Sequence, residues 1–88
     1  MLMYYVYILK SSKNEDIYIG FSEDIKRRVK DHNRGFVRAT KPNKPWRLVY
    51  YESYADKKDA IKRERQLKNH RAKLDLKEQL RYSLQRES

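Results

Sequence analysis

The run Met3 to Leu9, MYYVYIL, constrains the fold of this chain more than any other part of the sequence. It carries no charge and is dominated by β-branched and aromatic side chains, so it reads as a buried strand. The uncharged stretch from Met1 to Leu9 is far short of the ~20 residues a membrane-spanning helix needs. It has neither a basic leader nor a small-residue cleavage site, so no signal peptide is expected. The polar stretch Lys10 to Asp16 contains Ser-Ser-Lys-Asn, which is turn chemistry, and Ile17 to Phe21 is a second short strand. The two predict a hairpin with its tip near Lys13, with Tyr7 opposite Tyr18 or one step off and both on one sheet face.

Ser22 offers an N-cap for the next element, with Glu23 and Asp24 in the favourable first turn. Ile25, Val29 and His32 recur at helical spacing, and Asn33 with Gly35 closes that helix. Residues 34–45 read as a loop that Pro42 and Pro45 keep irregular. Trp46 to Tyr54 (WRLVYYESY) is a third strand. Asp56 caps a second helix, with Asp59 completing a weak capping box and Ala60, Ile61, Leu67 and Lys68 marking its inner face. Asn69 stops it, and a last helix carries Leu76, Leu80 and Leu84 before a tail, Gln85 to Ser88, that is expected to fray. The predicted fold is α+β, a small three-stranded sheet flanked by helices in the order β-β-α-β-α-α.

Eighty-eight residues make one domain, 1–88, with its core over about 3–75 and the last helix and tail over 76–88. The absence of cysteine removes disulfides, thiol catalysis and thiolate metal sites, and suits a reducing, cytoplasmic setting. A formal charge of +10, from 22 Lys and Arg against 12 Asp and Glu, builds a field that attracts polyanions. Nucleic acid is the partner this suggests, DNA ahead of RNA; no membrane partner is expected, and a monomer is expected ahead of an oligomer.

Three features break the local pattern. Glu64 falls within the apolar stripe of the second helix, four residues after Ala60 and three before Leu67. A carboxylate facing inward must be paired, hydrogen-bonded or bound to a metal, and an ion pair with an arginine of the first helix would satisfy it as well as a metal. Arg28 and His32 lie one turn apart on or beside the inward face of the first helix, whereas Arg27 points away from it. Arginine offers a planar fork to phosphate, and histidine can relay a proton or simply be a satisfied core residue. Eight tyrosines are present, and Tyr7 and Tyr18 stand out by sharing a sheet face. Gly20 ends the second strand where a turn or a close approach needs it. Arg34, Arg38, Lys41 and Lys44 load the loop with positive charge, with Arg47 just beyond.

Tyr5-Val6-Tyr7 and Tyr18-Ile19-Gly20, about ten residues apart, resemble the two motifs of the GIY-YIG nucleases. The helix with Arg27-Arg28-Val29 follows, and Glu64 stands where that family keeps a metal-binding glutamate. The string RLVYYE over 47–52, followed by AIKRE over 60–64, is similar to the family's small stand-alone bacterial branch (UPF0213-like). The first motif departs from the family in having Tyr5 for glycine and Val6 for isoleucine. The resemblance implies a metal-dependent endonuclease that hydrolyses phosphodiester bonds, with structure-selective DNA a candidate substrate. It implies one Mg2+ or Mn2+ held by Glu64, catalytic roles for Tyr7, Tyr18, Arg28, His32 and Glu64, and a structural role at the site for Gly20. Tyr7 would be the general base, if its pKa is lowered by the cation and Arg28. The loop cations with Arg47 would track the nucleic-acid backbone. Two other readings remain: a non-catalytic nucleic-acid-binding module of the same fold, and an interaction protein that docks through Leu76, Leu80 and Leu84.

Overall fold

A computed structural model of the chain describes residues 2–86. In chain order it has β1 (Tyr4–Ser11), β2 (Ile17–Ser22), α1 (Ile25–Asn33), a single 3₁₀ turn (Lys41–Asn43), β3 (Trp46–Tyr54), α2 (Lys57–Leu67), α3 (His70–Gln79) and α4 (Arg81–Gln85). The order β-β-α-β-α-α holds, with the last helix divided at Leu80. The strands form one antiparallel sheet in the order β2-β1-β3. The run that opens the chain is therefore the central strand, covered on both faces, which is why it has no polar alternation.

Val6 and Ile8 point to one side, where with Ile19 they pack on Ala60, Leu67, Leu76 and Leu80 from the C-terminal helices. The core therefore runs past residue 75, where it was expected to end. Leu76 and Leu80 are buried and Leu84 packs against the same cluster, so the leucine stripe serves the chain's own core. Tyr7 and Leu9 point to the other side, where they meet Trp46, Tyr18, Ile25 and Val29 under α1. Among the described residues no helix is long and apolar enough to cross a membrane.

Several local expectations need correction. The hairpin register pairs Tyr7 with Gly20 and Tyr18 with Leu9, two residues from the expected alignment. The strands run on to Ser11 and Ser22, and the loop between them is set by its own polar bonds: Asp16 N donates to Asn14 Oδ1, and Lys10 Nζ donates to the carbonyls of Ser11 and Asn14. A shift of two keeps every side chain on its face, so Tyr7 and Tyr18 still share one. Asp24, not Ser22, is the N-cap of α1, accepting from Arg27 N; Ser22 Oγ accepts from Asp24 N instead. The α1 C-terminus closes at Gly35, whose φ of +80° lets Gly35 N reach His32 O and Phe36 N reach Asp31 O. Pro42 does not exclude regular structure, because it sits at the start of the 3₁₀ turn, where its missing N–H is not needed. Lys68 is no inner-face residue: it caps the end of α2 and lies exposed. Asp56 caps α2 as expected, and Asn69, expected only as a stop, also caps α3 through Arg71 N and Ala72 N. Glu87 and Ser88 of the expected frayed tail lie outside the described residues.

Candidate active site

The site is built around the hydroxyl of Tyr7. Its ring lies across β2 at Gly20, and a Cβ on Gly20 would collide with Cζ and Oη of that ring. Gly20 has no positive φ, so its role is to leave room for Tyr7. Tyr7 Oη is 2.8 Å from Nε2 of His32, and Nδ1 of His32 is 2.7 Å from Oγ1 of Thr40. His32 and Thr40 are both fully buried. The Thr40 hydroxyl donates to Val37 O at 3.2 Å, so it accepts from Nδ1–H of His32. That leaves Nε2 bare and makes Tyr7 O–H the donor to it, a tautomer assigned from the network of bonds. Trp46 Nε1 donates to Thr40 O at 2.8 Å, and the side-chain amide of Asn33 exchanges bonds with the backbone of Trp46, so the loop end carrying Thr40 is pinned to both α1 and β3.

Tyr18 packs edge-on to His32 with ring centroids 5.0 Å apart, and lies 6.4 Å from the Tyr7 ring. Arg28 is half-buried, and the carboxylate it pairs with, Asp31, is distant at 4.0 Å. Burial pushes the Tyr7 hydroxyl up to about 12, with Tyr18 and Glu64 adding to the push and Arg28 opposing it by hydrogen bonding and charge. Burial and the Arg28 charge push His32 down to about 4, with Asp31 pulling weakly the other way. At neutral pH both groups are uncharged in a site that also holds a guanidinium and a carboxylate.

Glu64 keeps a side-chain exposure of 21% and is not paired with an arginine of α1, the alternative that the sequence left open. Its charge partner is Lys68, one turn on along α2, at 3.2 Å. Among the described residues no three His, Cys, Asp or Glu side chains cluster. A lone carboxylate suits a hard cation that keeps most of its waters and takes further oxygens from phosphate, and it does not suit a thiolate- or imidazole-bound metal. The donor set is therefore compatible with a hard divalent cation held in that mode.

Tyr18, Gly20, Arg28 and His32 thus lie around the Tyr7 hydroxyl, and Glu64 is near enough for its charge to act on it. Arg34, Arg38, Lys41 and Lys44 are exposed along the loop. Arg47 departs from them: its guanidinium is held by Ser83 O at 3.3 Å and Leu84 O at 3.0 Å, at the end of α4. Two groups escaped the sequence reading. Thr40 lies in a loop without periodicity, so nothing in the sequence marks it as buried. Glu52 binds Arg63 through two bonds (2.8 and 3.0 Å) and accepts from Tyr50 Oη and Tyr54 Oη, joining β3 to α2. Burial pushes the Glu52 carboxyl up, but the Arg63 and tyrosine bonds outweigh it and hold the carboxyl below the ordinary range.

With this geometry in view, the profile of the GIY-YIG catalytic domain matches residues 3–79. The chain belongs to the GIY-YIG family. Within it, UPF0213 proteins of Staphylococcus aureus strains Mu3 and N315 are each 41% identical over 68 residues, which is 76% of this chain and 82% of theirs. The solution NMR structure of the UPF0213 protein BH0048 from Bacillus halodurans is 32% identical, covers 85% of this chain and 82% of its own, and superposes with a TM-score of 0.53. The chain is thus a UPF0213-like member of a nuclease family whose members generally depend on divalent metal.

Proposed function

We propose that this chain is a single-domain, metal-dependent nuclease that hydrolyses phosphodiester bonds of nucleic acid, acting as a monomer in the cytoplasm. What carries the reading is the bond between Tyr7 and His32, with Arg28 and Glu64 near enough for their charges to act on Tyr7, within a GIY-YIG domain. A general base must accept a proton, and a tyrosine raised to about 12 does so poorly on its own. The bond from Tyr7 Oη to His32 Nε2 offers a route that keeps tyrosine neutral. A proton of the attacking water moves to Tyr7 Oη as the Tyr7 proton moves to His32 Nε2. The water oxygen bonds to phosphorus, the bond from phosphorus to the leaving oxygen breaks, and that oxygen takes a proton from solvent. The imidazolium so formed is disfavoured by burial and by Arg28, and the negative phosphate entering the site offsets both.

Thr40 is the positioning residue of this route, because it fixes the tautomer that leaves Nε2 free. Arg28 holds a non-bridging phosphate oxygen through its fork. Tyr18 packs on His32 and would offer its hydroxyl as a hydrogen-bond partner in the same pocket. Glu64 would hold Mg2+ or Mn2+, which when bound supplies charge neutralisation at the phosphate. Arg34, Arg38, Lys41 and Lys44 supply backbone contacts, with DNA ahead of RNA as substrate. Purified wild type is expected to cleave DNA in Mg2+, and Glu64→Ala to lose that cleavage with nucleic-acid affinity within a few-fold of wild type. Absence of cleavage by wild type with every divalent metal tried would replace this reading by that of a binding module.

A further inference from the structure

At the hairpin-tip end of the sheet a cleft of about 700 Å³ opens between residues 10–15, the start of β3, and helices α3 and α4. Among the described residues six cations line it, Lys10, Lys13, Arg47, Lys77, Arg81 and Arg86, against one acid, Glu15. Two of the six are buried or half-buried and fixed in place by uncharged partners. Lys10 has a side-chain exposure of 11%, and its Nζ donates to the carbonyls of Ser11 and Asn14, which leaves one of its three hydrogens free. Its nearest carboxylate, Glu15, is 3.9 Å away and almost fully exposed. Arg47 is oriented by the last carbonyls of α4, not by an acid. Lys77 and Arg81 stand exposed on the helical wall.

The cleft is joined to the basic loop. Lys13 Nζ donates to Pro42 O at 3.1 Å, Ser11 Oγ to Asn43 O at 2.6 Å, and Asn14 Nδ2 to Asn43 Oδ1 at 3.0 Å. Lys41 and Lys44 flank the turn that receives these bonds, so positive charge runs from the loop round the hairpin into the cleft. Lys10 is three residues along β1 from Tyr7 and on the opposite face, a separation of about 10 Å at ~3.3 Å per residue. That is roughly three nucleotides of duplex at ~3.4 Å per step.

We propose that this cleft is a second nucleic-acid site, which holds backbone phosphates of the strand that flanks the scissile bond. The placing of that strand relative to Tyr7 rests on the nuclease reading, whereas the recognition of phosphate does not. Fixed cations with spare donors match phosphate oxygens, and contacts of this kind set register without reading sequence.

The test is Lys77→Ala with Arg81→Ala, two exposed helical positions where alanine preserves the helix. Binding is followed by fluorescence anisotropy with a labelled duplex of about 20 base pairs and a labelled strand of about four nucleotides, between ~50 and ~200 mM salt. The duplex is expected to bind at least about 20-fold more weakly at the low-salt end, with the slope of log affinity on log salt flattened by about 1.8 for two lost contacts. Affinity for the short strand, and its turnover, should stay as in wild type. An unchanged duplex slope, or an equal loss for the short strand, overturns the proposal. So does competition by polyglutamate as strong as by DNA of equal charge, which would assign the cleft to an acidic protein. If wild type cleaves while the double variant binds like wild type, the cleft fails and the nuclease stands. If wild type cleaves nothing but the double variant loses affinity and slope, the cleft stands and the nuclease fails.

Discussion

Two tyrosine networks flank the central strand, and they are opposite in kind. On the α1 side, Tyr7, His32 and Thr40 form a chain of uncharged groups, buried and linked one to the next. On the α2 side, directly across from Val6, Glu52 is bound by Arg63, Tyr50 and Tyr54. The second network is saturated: both carboxylate oxygens are used, both phenols donate inward, and the charge is neutralised where it lies. The first ends on a phenol that has given its hydrogen to His32 and keeps its oxygen lone pairs for a further donor. One network ties β3 to α2 and so fixes where Glu64 stands. The other is the chain that the proposed reaction would use to pass a proton.

The sharpest way to break this contrast is to remove the carboxylate from the saturated network. Glu52→Ala leaves the Arg63 guanidinium and two phenols without their acceptor, which should cost about 3 kcal/mol, or roughly 15 °C in melting temperature. Denaturant unfolding measures it. A loss near that of an ordinary surface substitution would mean that Glu52 does not join the sheet to α2.

A comparable but pH-gated effect is expected on the other side. The ordinary imidazole value is 6.5 and burial lowers His32 to about 4, so between these two values the unfolded chain takes up a proton that the folded chain refuses. Stability is therefore full above pH ~6.5 and falls as pH drops towards ~4, by about 3 kcal/mol over the window. Unfolding curves at pH 7 and near pH 4.5 read this directly. Thr40→Val should widen the difference between the two pH values, because the Nδ1–H that the protonated imidazole donates most strongly then loses its acceptor and the charged form becomes costlier still in the folded chain. A pH dependence identical to wild type would remove Thr40 from the chain.

How much of this the sequence carried depends on how local each feature is. WRLVYYESY gave β3 to the residue, and Asp56 gave the start of α2, because alternation and capping are written within a few neighbours. Arg28, His32 and Glu64 were legible as polar groups on or beside apolar faces, and Tyr7 as a motif tyrosine sharing a sheet face with Tyr18. Their gathering near one hydroxyl was not, since it depends on how three elements pack. The hairpin register escaped by two residues because bonds within the loop decide it. The break at Leu80 escaped because the leucine stripe continues through it without glycine or proline. Thr40 and the pairing of Glu52 with Arg63 escaped for the same reason as each other: each joins groups from different elements.

The central claim is that Tyr7 carries the proton in the reaction. Tyr7→Phe keeps a ring over Gly20 and removes only the hydroxyl. The decisive measurement is the single-turnover cleavage rate of wild type and Tyr7→Phe in saturating Mg2+, with nucleic-acid affinity measured on the same preparations. The expected result is a fall in rate of about 10²- to 10⁴-fold with affinity nearly unchanged. A Tyr7→Phe protein that cleaves at close to the wild-type rate would contradict the account.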